Sequence, residues 1–228
     1  MAERKLEDLL SVLFQAHPWH GIEVGPKPPV SVNAFIELVP TDAVKYELDK
    51  QSGHLRLDRP HRYSSLCPTP YGFIPQTYSG PRVAERCAAR TGHKAIQGDG
   101  DPMDICVLTE KTIPGGNLLV HARPIGGLRM VDGDEADDKI IAVLEADLAY
   151  GNVQDIREIP TGLIERLQHY FLSYKQLPGV MPRKVEIAEV YDRAEAEEVI
   201  LRSNQDYREK YGDPGARVEE LRRLLAGG

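Results

Sequence analysis

The stretch Gly98–Leu108, GDGDPMDICVL, places Asp99, Asp101 and Asp104 within six residues and runs straight into an apolar segment. Asp and Gly form turns readily, but a turn needs one or two such residues, and Asp104 already stands inside the strand pattern that follows. Two carboxylates about 4 Å apart at an effective dielectric of about 20 repel by about 4 kcal/mol. A marginally stable fold cannot absorb that cost several times over. Crowded carboxylates therefore either take up protons or share a multivalent cation. With oxygen donors only and no His or Cys beside them, the ions selected are hard ones: Mg2+, Mn2+ or Ca2+.

Known aspartate motifs of other kinds do not fit. An EF-hand loop needs ligands at its first, third and fifth positions and Gly at the sixth, whereas here Gly100 comes second and Pro102 fourth. The nucleophile pair of haloacid dehalogenases and the DxD of glycosyltransferases follow an apolar strand, and this cluster precedes one. A second acidic group, VDGDEADDKI, holds Asp132, Asp134, Glu135, Asp137 and Asp138 ahead of Lys139. For Asp134, Glu135 and Asp138 a solvated turn is the simpler expectation. Lys45, Arg59, Lys139, Tyr174 and Lys175 stand beside acidic or turn-rich segments. Together with divalent cations they supply the spread positive charge that phosphoryl transfer requires.

Composition sets outer bounds. The chain has 228 residues, 41% hydrophobic and 28% charged, which is ordinary for a globular protein with one large core. A net charge of -7 opposes nucleic acid or an anionic membrane as the main partner. The opening MAERKLEDLLSVLFQ reads as a short amphipathic helix and not as a signal peptide. No window approaches the roughly 20 apolar residues of a membrane span, so a cytoplasmic protein is expected. Cys67, Cys87 and Cys106 lack CxxC spacing, which fits a reducing compartment and offers no zinc site.

Short strands are predicted at FIELV (35–39), VKYELD (44–49) and HLRLDR (54–59). In the second, Val44, Tyr46 and Leu48 share one face and Lys45, Glu47 and Asp49 the other. Residues 63–81, rich in Pro and Gly, read as irregular. RVAERCAARTGHKAIQ reads as a helix and loop insertion. MDICVL, NLLVHARPI, GLRMV and KIIAVLE follow as strands, with a bend or bulge at Gly126 and Gly127. Leu163, Ile164, Leu167, Tyr170, Phe171 and Tyr174 recur at helical spacing before Pro178-Gly179. KVEIAEVY is a further strand, and AEAEEVILRSNQDYREKY and ARVEELRRLL are polar helices. Strands first and helices later imply a closed or nearly closed antiparallel barrel with helices packed outside.

DGDPMD followed by an apolar strand resembles the D-x-D-P-x-D signature of the family I soluble inorganic pyrophosphatases. The flanking order is similar too: IEL, KYELDKQSG and LDR look like the family's first barrel hairpin, YGFIP its tyrosine loop, RPIGGLRMVD with ADDK its second acidic arm, and YFLSYK its late helix. The resemblance spans roughly Asn33 to Tyr191. It implies an α+β fold with a mainly β core, an OB-like five-stranded antiparallel barrel with flanking helices. The expected organisation is an N-terminal helix and arm over 1–32, the barrel over 33–191 with an insertion at 79–97, and C-terminal helices over 192–228.

The implied activity is Mg2+-dependent hydrolysis of pyrophosphate to two orthophosphates, with Mn2+ as a substitute and Ca2+ inhibitory. By the same resemblance Asp99, Asp104 and Asp137 hold a first metal, Asp104 bridges to a second, and Asp132 with Asp137 holds a metal arriving with substrate, Glu37 acting through water. Asp101 is the implied proton acceptor, with Glu47 and Tyr71 lining the reacting centre. Lys45, Arg59, Lys139, Tyr71, Tyr174 and Lys175 would hold the phosphoryl groups. A homo-oligomer with no nucleic-acid or membrane partner is expected.

Two departures stand out. Cys67 occupies a position where bacterial members often carry tyrosine. The segment between Tyr78 and Asp99 is long and bears Arg82, Arg86, Arg90 and Lys94, either as a flap near the substrate, a subunit contact or a plain surface insertion. His17 and His20 of AHPWHG have a spacing that could bind a metal, with Trp19 packing on the barrel the simpler expectation. The rival readings are a hydrolase of nucleotides or other phosphate esters, and an OB-type nucleic-acid-binding module.

Overall fold

The computed structural model describes residues 16–61, 63–175 and 185–213, with positions 215, 216, 219 and 223. The amphipathic opening helix, the Pro178-Gly179 helix stop and most of ARVEELRRLL lie outside the described residues.

Five strands close a ring. β1 (Val32–Leu38) pairs antiparallel with β4 (Tyr71–Phe73), and β4 with β6 (Asp104–Leu108). β6 runs parallel to β9 (Lys139–Leu144), which pairs antiparallel with β7 (Leu118–Asp132), and β7 returns to β1. The expected barrel is thus present, with one parallel pair where an all-antiparallel ring was expected. β2 (Val44–Leu48) and β3 (Leu55–Pro60) form a separate two-stranded sheet, so this hairpin is not part of the ring. Both edges of β1 are taken by β4 and β7, leaving no backbone edge for β2.

The two segments NLLVHARPI and GLRMV are one fifteen-residue strand, β7. Its pairing register shifts between Pro124 and Gly126, at the expected bend. A Cβ at Gly126 would sit 2.5 Å from the Tyr191 carbonyl, and one at Gly127 would sit 2.4 Å from the Tyr191 ring. The glycine pair lets β7 cross beneath β10 (Val185–Asp192), with which it pairs over its second half. The short strands β5 (Gln97–Gly98) and β8 (Glu135–Ala136) extend the sheet beside the two acidic segments.

Along β6 and β9 successive side chains feed two different cores. Ile105, Val107, Ile140 and Ala142 join one with residues of α1 (Pro81–Thr91) and α3 (Arg193–Tyr211); Cys106, Leu108, Ile141 and Val143 join another with α2 (Thr161–Ser173). Both faces of these strands are therefore dry, as their near-continuous apolar text demands. Ile164, Leu167, Tyr170 and Phe171 form the buried stripe of α2, as the periodicity predicts. The three cysteines are buried and unbridged. Cys67 lies in the α2 core, where burial pushes its thiol up to about 12.

The insertion carries α1, whose arginines meet carboxylates of α3 and β10. Arg82 pairs with Glu209 and lies near Asp206; Arg86 pairs with Glu195 and Arg90 with Glu189, which ties α1 to α3 and β10. Of the three readings of this segment, these ion pairs suit a helix packed on the fold: the guanidiniums meet carboxylates of α3 and β10. Beneath them Arg129, fully buried, pairs with Glu195, with Glu189 at 3.2 Å and with Asp138 at 3.5 Å, its guanidinium 5.0 Å from the Tyr191 ring centre. Asp138 is accordingly buried and not a solvated turn residue, and the Tyr191 hydroxyl donates to it at 3.2 Å. Burial pushes its carboxyl up to about 7 even against the Arg129 charge.

Removing Arg129 would leave the buried Asp138 without its arginine and Glu189 and Glu195 with one arginine each. Arg129→Met is expected to cost about 3–5 kcal/mol in urea unfolding, the usual consequence of breaking a buried pair from one side. Asp155 supplies a second test. It caps the short turn Ile156–Glu158, accepting from the Arg157 amide at 3.0 Å and its Nε at 2.6 Å, and reaches the Arg193 amide that opens α3 at 3.3 Å. The Arg157 bond leads in lowering its carboxyl from 3.8 to about 2. A depressed acid stabilises the fold above its unfolded value and loses that contribution as pH falls through the folded one. Asp155→Asn is expected to flatten the acid limb of a melting-temperature profile between 3.8 and about 2.

Candidate active site

The parallel pairing of β6 and β9 decides where the acidic segments meet. Asp104 opens β6 and Lys139 opens β9, and they are register partners. β7 is antiparallel to β9, so Asp132 at its end comes to the same end of the ring; Phe73, the last residue of β4, lies opposite Asp104. The Gly98–Asp104 loop delivers Asp99 and Asp101 there, the β8–β9 link delivers Asp137, and the residues after α2 deliver Tyr174 and Lys175. Glu37 comes from the far end of β1, while Lys45, Glu47 and Arg59 come from the separate hairpin.

One cavity of about 660 Å³ is lined by every residue put forward for the site: Glu37, Lys45, Glu47, Arg59, Tyr71, Asp99, Asp101, Asp104, Asp132, Asp137, Lys139, Tyr174 and Lys175. Glu135 also lines it. So do Trp19, Lys50, Gln51 and Arg56, which sequence reasoning did not assign. Lys50 and Gln51 sit in a legible turn, but nothing local tells which way a turn leans. A larger cavity between β10, α2 and α3 is lined by arginine–glutamate pairs already satisfied by one another.

Ammonium groups stand among the carboxylates. Lys139, 2% exposed, bridges Asp104 and Asp137; Lys175 reaches Asp132 at 2.5 Å; Lys45 pairs with Glu47, and Lys50 with Asp101. Burial alone would lower Lys139, but Asp104 and Asp137 outweigh it and hold the ammonium well above its usual range. Burial pushes Glu37 up to about 8 although the Leu48 amide donates to it at 2.6 Å, and Asp104 pushes it the same way. Burial, then the Asp137 charge, pushes Asp99 up to about 8. Burial also raises Asp137 against the pull of Lys139, and lifts the Tyr71 hydroxyl, with Asp104 adding to it.

Residues 34–208 match the inorganic pyrophosphatase family. The chain belongs to that family. It is 50% identical over 196 residues to the inorganic pyrophosphatase of Chlamydia trachomatis serovar L2, covering 84% of this chain and 94% of that protein. It is 38% identical over 175 residues to the soluble inorganic pyrophosphatase of Oryza sativa subsp. indica, covering 76% and 72%. The crystal structure of inorganic pyrophosphatase from Thermus thermophilus superposes with a TM-score of 0.69 at 31% identity, covering 84% of this chain and 99% of that one. The pyrophosphatases are enzymes, and membership implies a divalent-metal requirement.

The donor set fits such an ion in kind. It is built of carboxylate oxygens, two of them held up to about 8 because burial and their neighbours disfavour charge, which is the penalty a divalent cation offsets. Among the described residues no three His, Cys, Asp or Glu side chains are already drawn together as a ready metal set; the ammonium groups lie between them.

The raised Glu37 gives a test of this crowding. A carboxyl lifted from 4.5 to about 8 costs the fold stability as pH rises between those values. In chelator, Glu37→Gln is expected to remove part of the fall in melting temperature over that window.

Proposed function

We propose that this cavity hydrolyses pyrophosphate to two orthophosphates with Mg2+, by direct attack of water and with no covalent enzyme intermediate. The observation that carries this reading is the gathering, among the described residues, of nine acidic side chains and six cationic ones, with two tyrosines, around one 660 Å³ space, in a chain of the pyrophosphatase family. Pyrophosphate is a small polyanion that bare carboxylates would repel. When bound, divalent cations neutralise the phosphoryl charge and lower the pKa of the attacking water.

Asp99, Asp104, Asp132 and Asp137, with Glu37 behind them, would hold those ions. Asp101, half exposed at the rim, accepts the proton released by the attacking water. Lys139 and Lys175, now paired to acids that would turn to metal, are free to pair with phosphoryl oxygens once those acids are engaged. Lys45 and Arg59 approach from the hairpin side and Tyr174 from α2, so the substrate is gripped from three separate elements. Tyr71, its hydroxyl held protonated by burial, donates a hydrogen bond to a phosphoryl oxygen. Glu47 orients Lys45 through their ion pair. Mn2+ would serve in place of Mg2+, and Ca2+, with its looser and longer coordination, would bind and inhibit.

We read the protein as cytoplasmic and homo-oligomeric, with neither nucleic acid nor membrane as partner. In support, its net charge is -7, and among the described residues no helix is long and apolar enough to cross a membrane.

Phosphate release from pyrophosphate, ATP and tripolyphosphate in Mg2+, Mn2+ or Ca2+ tests the reading: fast turnover of pyrophosphate alone with Mg2+ is expected, and preference for ATP would overturn it. Asp101→Asn is expected to lower kcat by about 10²–10⁴-fold, the usual share of a general base, while the Mg2+-induced rise in melting temperature stays. Asp104→Ala is expected to abolish that rise.

A further inference from the structure

The four lysines paired to acids in the cavity are not equivalent. Lys139 is buried, and Lys45 and Lys175 are 20% and 36% exposed at the side chain, whereas Lys50 is 54% exposed and reaches Asp101 across the cavity mouth. An exposed pair of this kind contributes little stability. Its backbone is nonetheless held with care. The turn between β2 and β3 is closed by the Gly53 amide on the Asp49 carbonyl at 2.8 Å and the Ser52 amide on the Asp49 carboxylate at 2.8 Å, with Gly53 at φ +74°. The Lys50 carbonyl is met at 3.2 Å by His17 Nε2.

His17 is itself fixed. Its Nδ1 accepts from the Trp19 and His20 amides at 3.2 and 3.4 Å, which leaves the proton on Nε2 for Lys50 and leaves neither nitrogen for a metal. A Cβ on Gly53 would come within 2.9 Å of the His17 ring, so arm and turn fit closely. Trp19, 2% exposed, donates to the Thr77 carbonyl at 2.7 Å and packs with Leu48, Phe35, Phe73 and Tyr207. This arm precedes the residues that match the family.

A rigid backbone carrying a long, mobile, half-exposed ammonium at the mouth of a polyanion site is a capture device. Resting on the proposed pyrophosphate reading, we infer that Lys50 is a further substrate-binding residue: it leaves Asp101 for the outer phosphoryl oxygens as substrate arrives, and His17 of the N-terminal arm is its positioning residue. The exchange trades one carboxylate for a more highly charged group, which favours the move. It also uncovers the Asp101 oxygen as the substrate is seated.

The test uses the full chain and two readouts, steady-state hydrolysis of Mg-pyrophosphate and equilibrium binding of methylene diphosphonate with Mg2+, whose bridging carbon resists hydrolysis. Lys50→Gln is expected to raise KM and the diphosphonate Kd by about five- to tenfold, the scale of one partly exposed charge contact, with kcat changed less than about twofold. Lys50→Arg should restore both. His17→Ala should shift both in the same direction, His17→Gln, which keeps an N–H for the Lys50 carbonyl, should not, and His17→Ala added to Lys50→Gln should do no further harm. Unchanged KM and Kd in Lys50→Gln, or a loss confined to kcat, would overturn the capture role; additive losses would overturn the part given to His17. If the unaltered chain released no phosphate, the pyrophosphatase reading would fall, while diphosphonate binding would still judge Lys50.

Discussion

Repulsion among carboxylates brought together at one end of a closed ring governs this structure. Asp99, Asp137 and Glu37 are each held above the usual carboxylate range by burial, and neighbouring acids push the same way. A fold can tolerate such a set only if positive charge stands within it. Here the charge is supplied by lysines delivered from different elements: Lys139 from β9, Lys45 from the hairpin, Lys175 from the end of α2 and Lys50 from a turn. Their pairing sets cations among the acids that line one cavity.

Behind the site a second charged layer does a different job. Arg129 stands between Asp138, Glu189 and Glu195, and two of these acids are shared with Arg90 and Arg86 of α1. Asp138 lies directly between Asp137 and Lys139 in the chain, so the rear network fixes the backbone from which two site residues project. In the β8–β9 link Asp137 lines the cavity, as does Lys139 at the start of β9, while Asp138 between them meets the arginine. The insertion thus packs, through these shared acids, behind the segment that carries Asp137 and Lys139.

Alternation of side chains along a strand explains the two cores. Because β6 and β9 are covered on both faces, their ends are rigid, and the acidic residues at those ends inherit that rigidity. The hairpin β2–β3, outside the ring, is anchored instead by Leu48 in the Trp19 cluster and by the Leu48 amide on Glu37. So anchored, it carries Lys45, Arg56 and Arg59 to the cavity.

Much of this was legible in the residues themselves. The aspartates of GDGDPMD pointed to a crowded acidic cluster and the 3.6-residue stripe of Leu163 to Tyr174 to the helix beside it, because local charge density and periodicity need no partner to be read, while the family resemblance supplied the other residues that line the cavity. The closure of the ring was also implied by the many short strands. What the chain could not announce was orientation: DICVL and KIIAVL read the same whether paired parallel or antiparallel, and only their parallel pairing sets Asp104 beside Lys139. Asp138 looked like its solvated neighbours until β7 placed Arg129 against it, and Lys50 looked like any turn residue until the arm fixed its carbonyl. Sequence determined which chemical groups were present and their local periodicity; the tertiary structure alone decided which of them share a space, because Coulomb forces and burial act through distance in the fold and not along the chain.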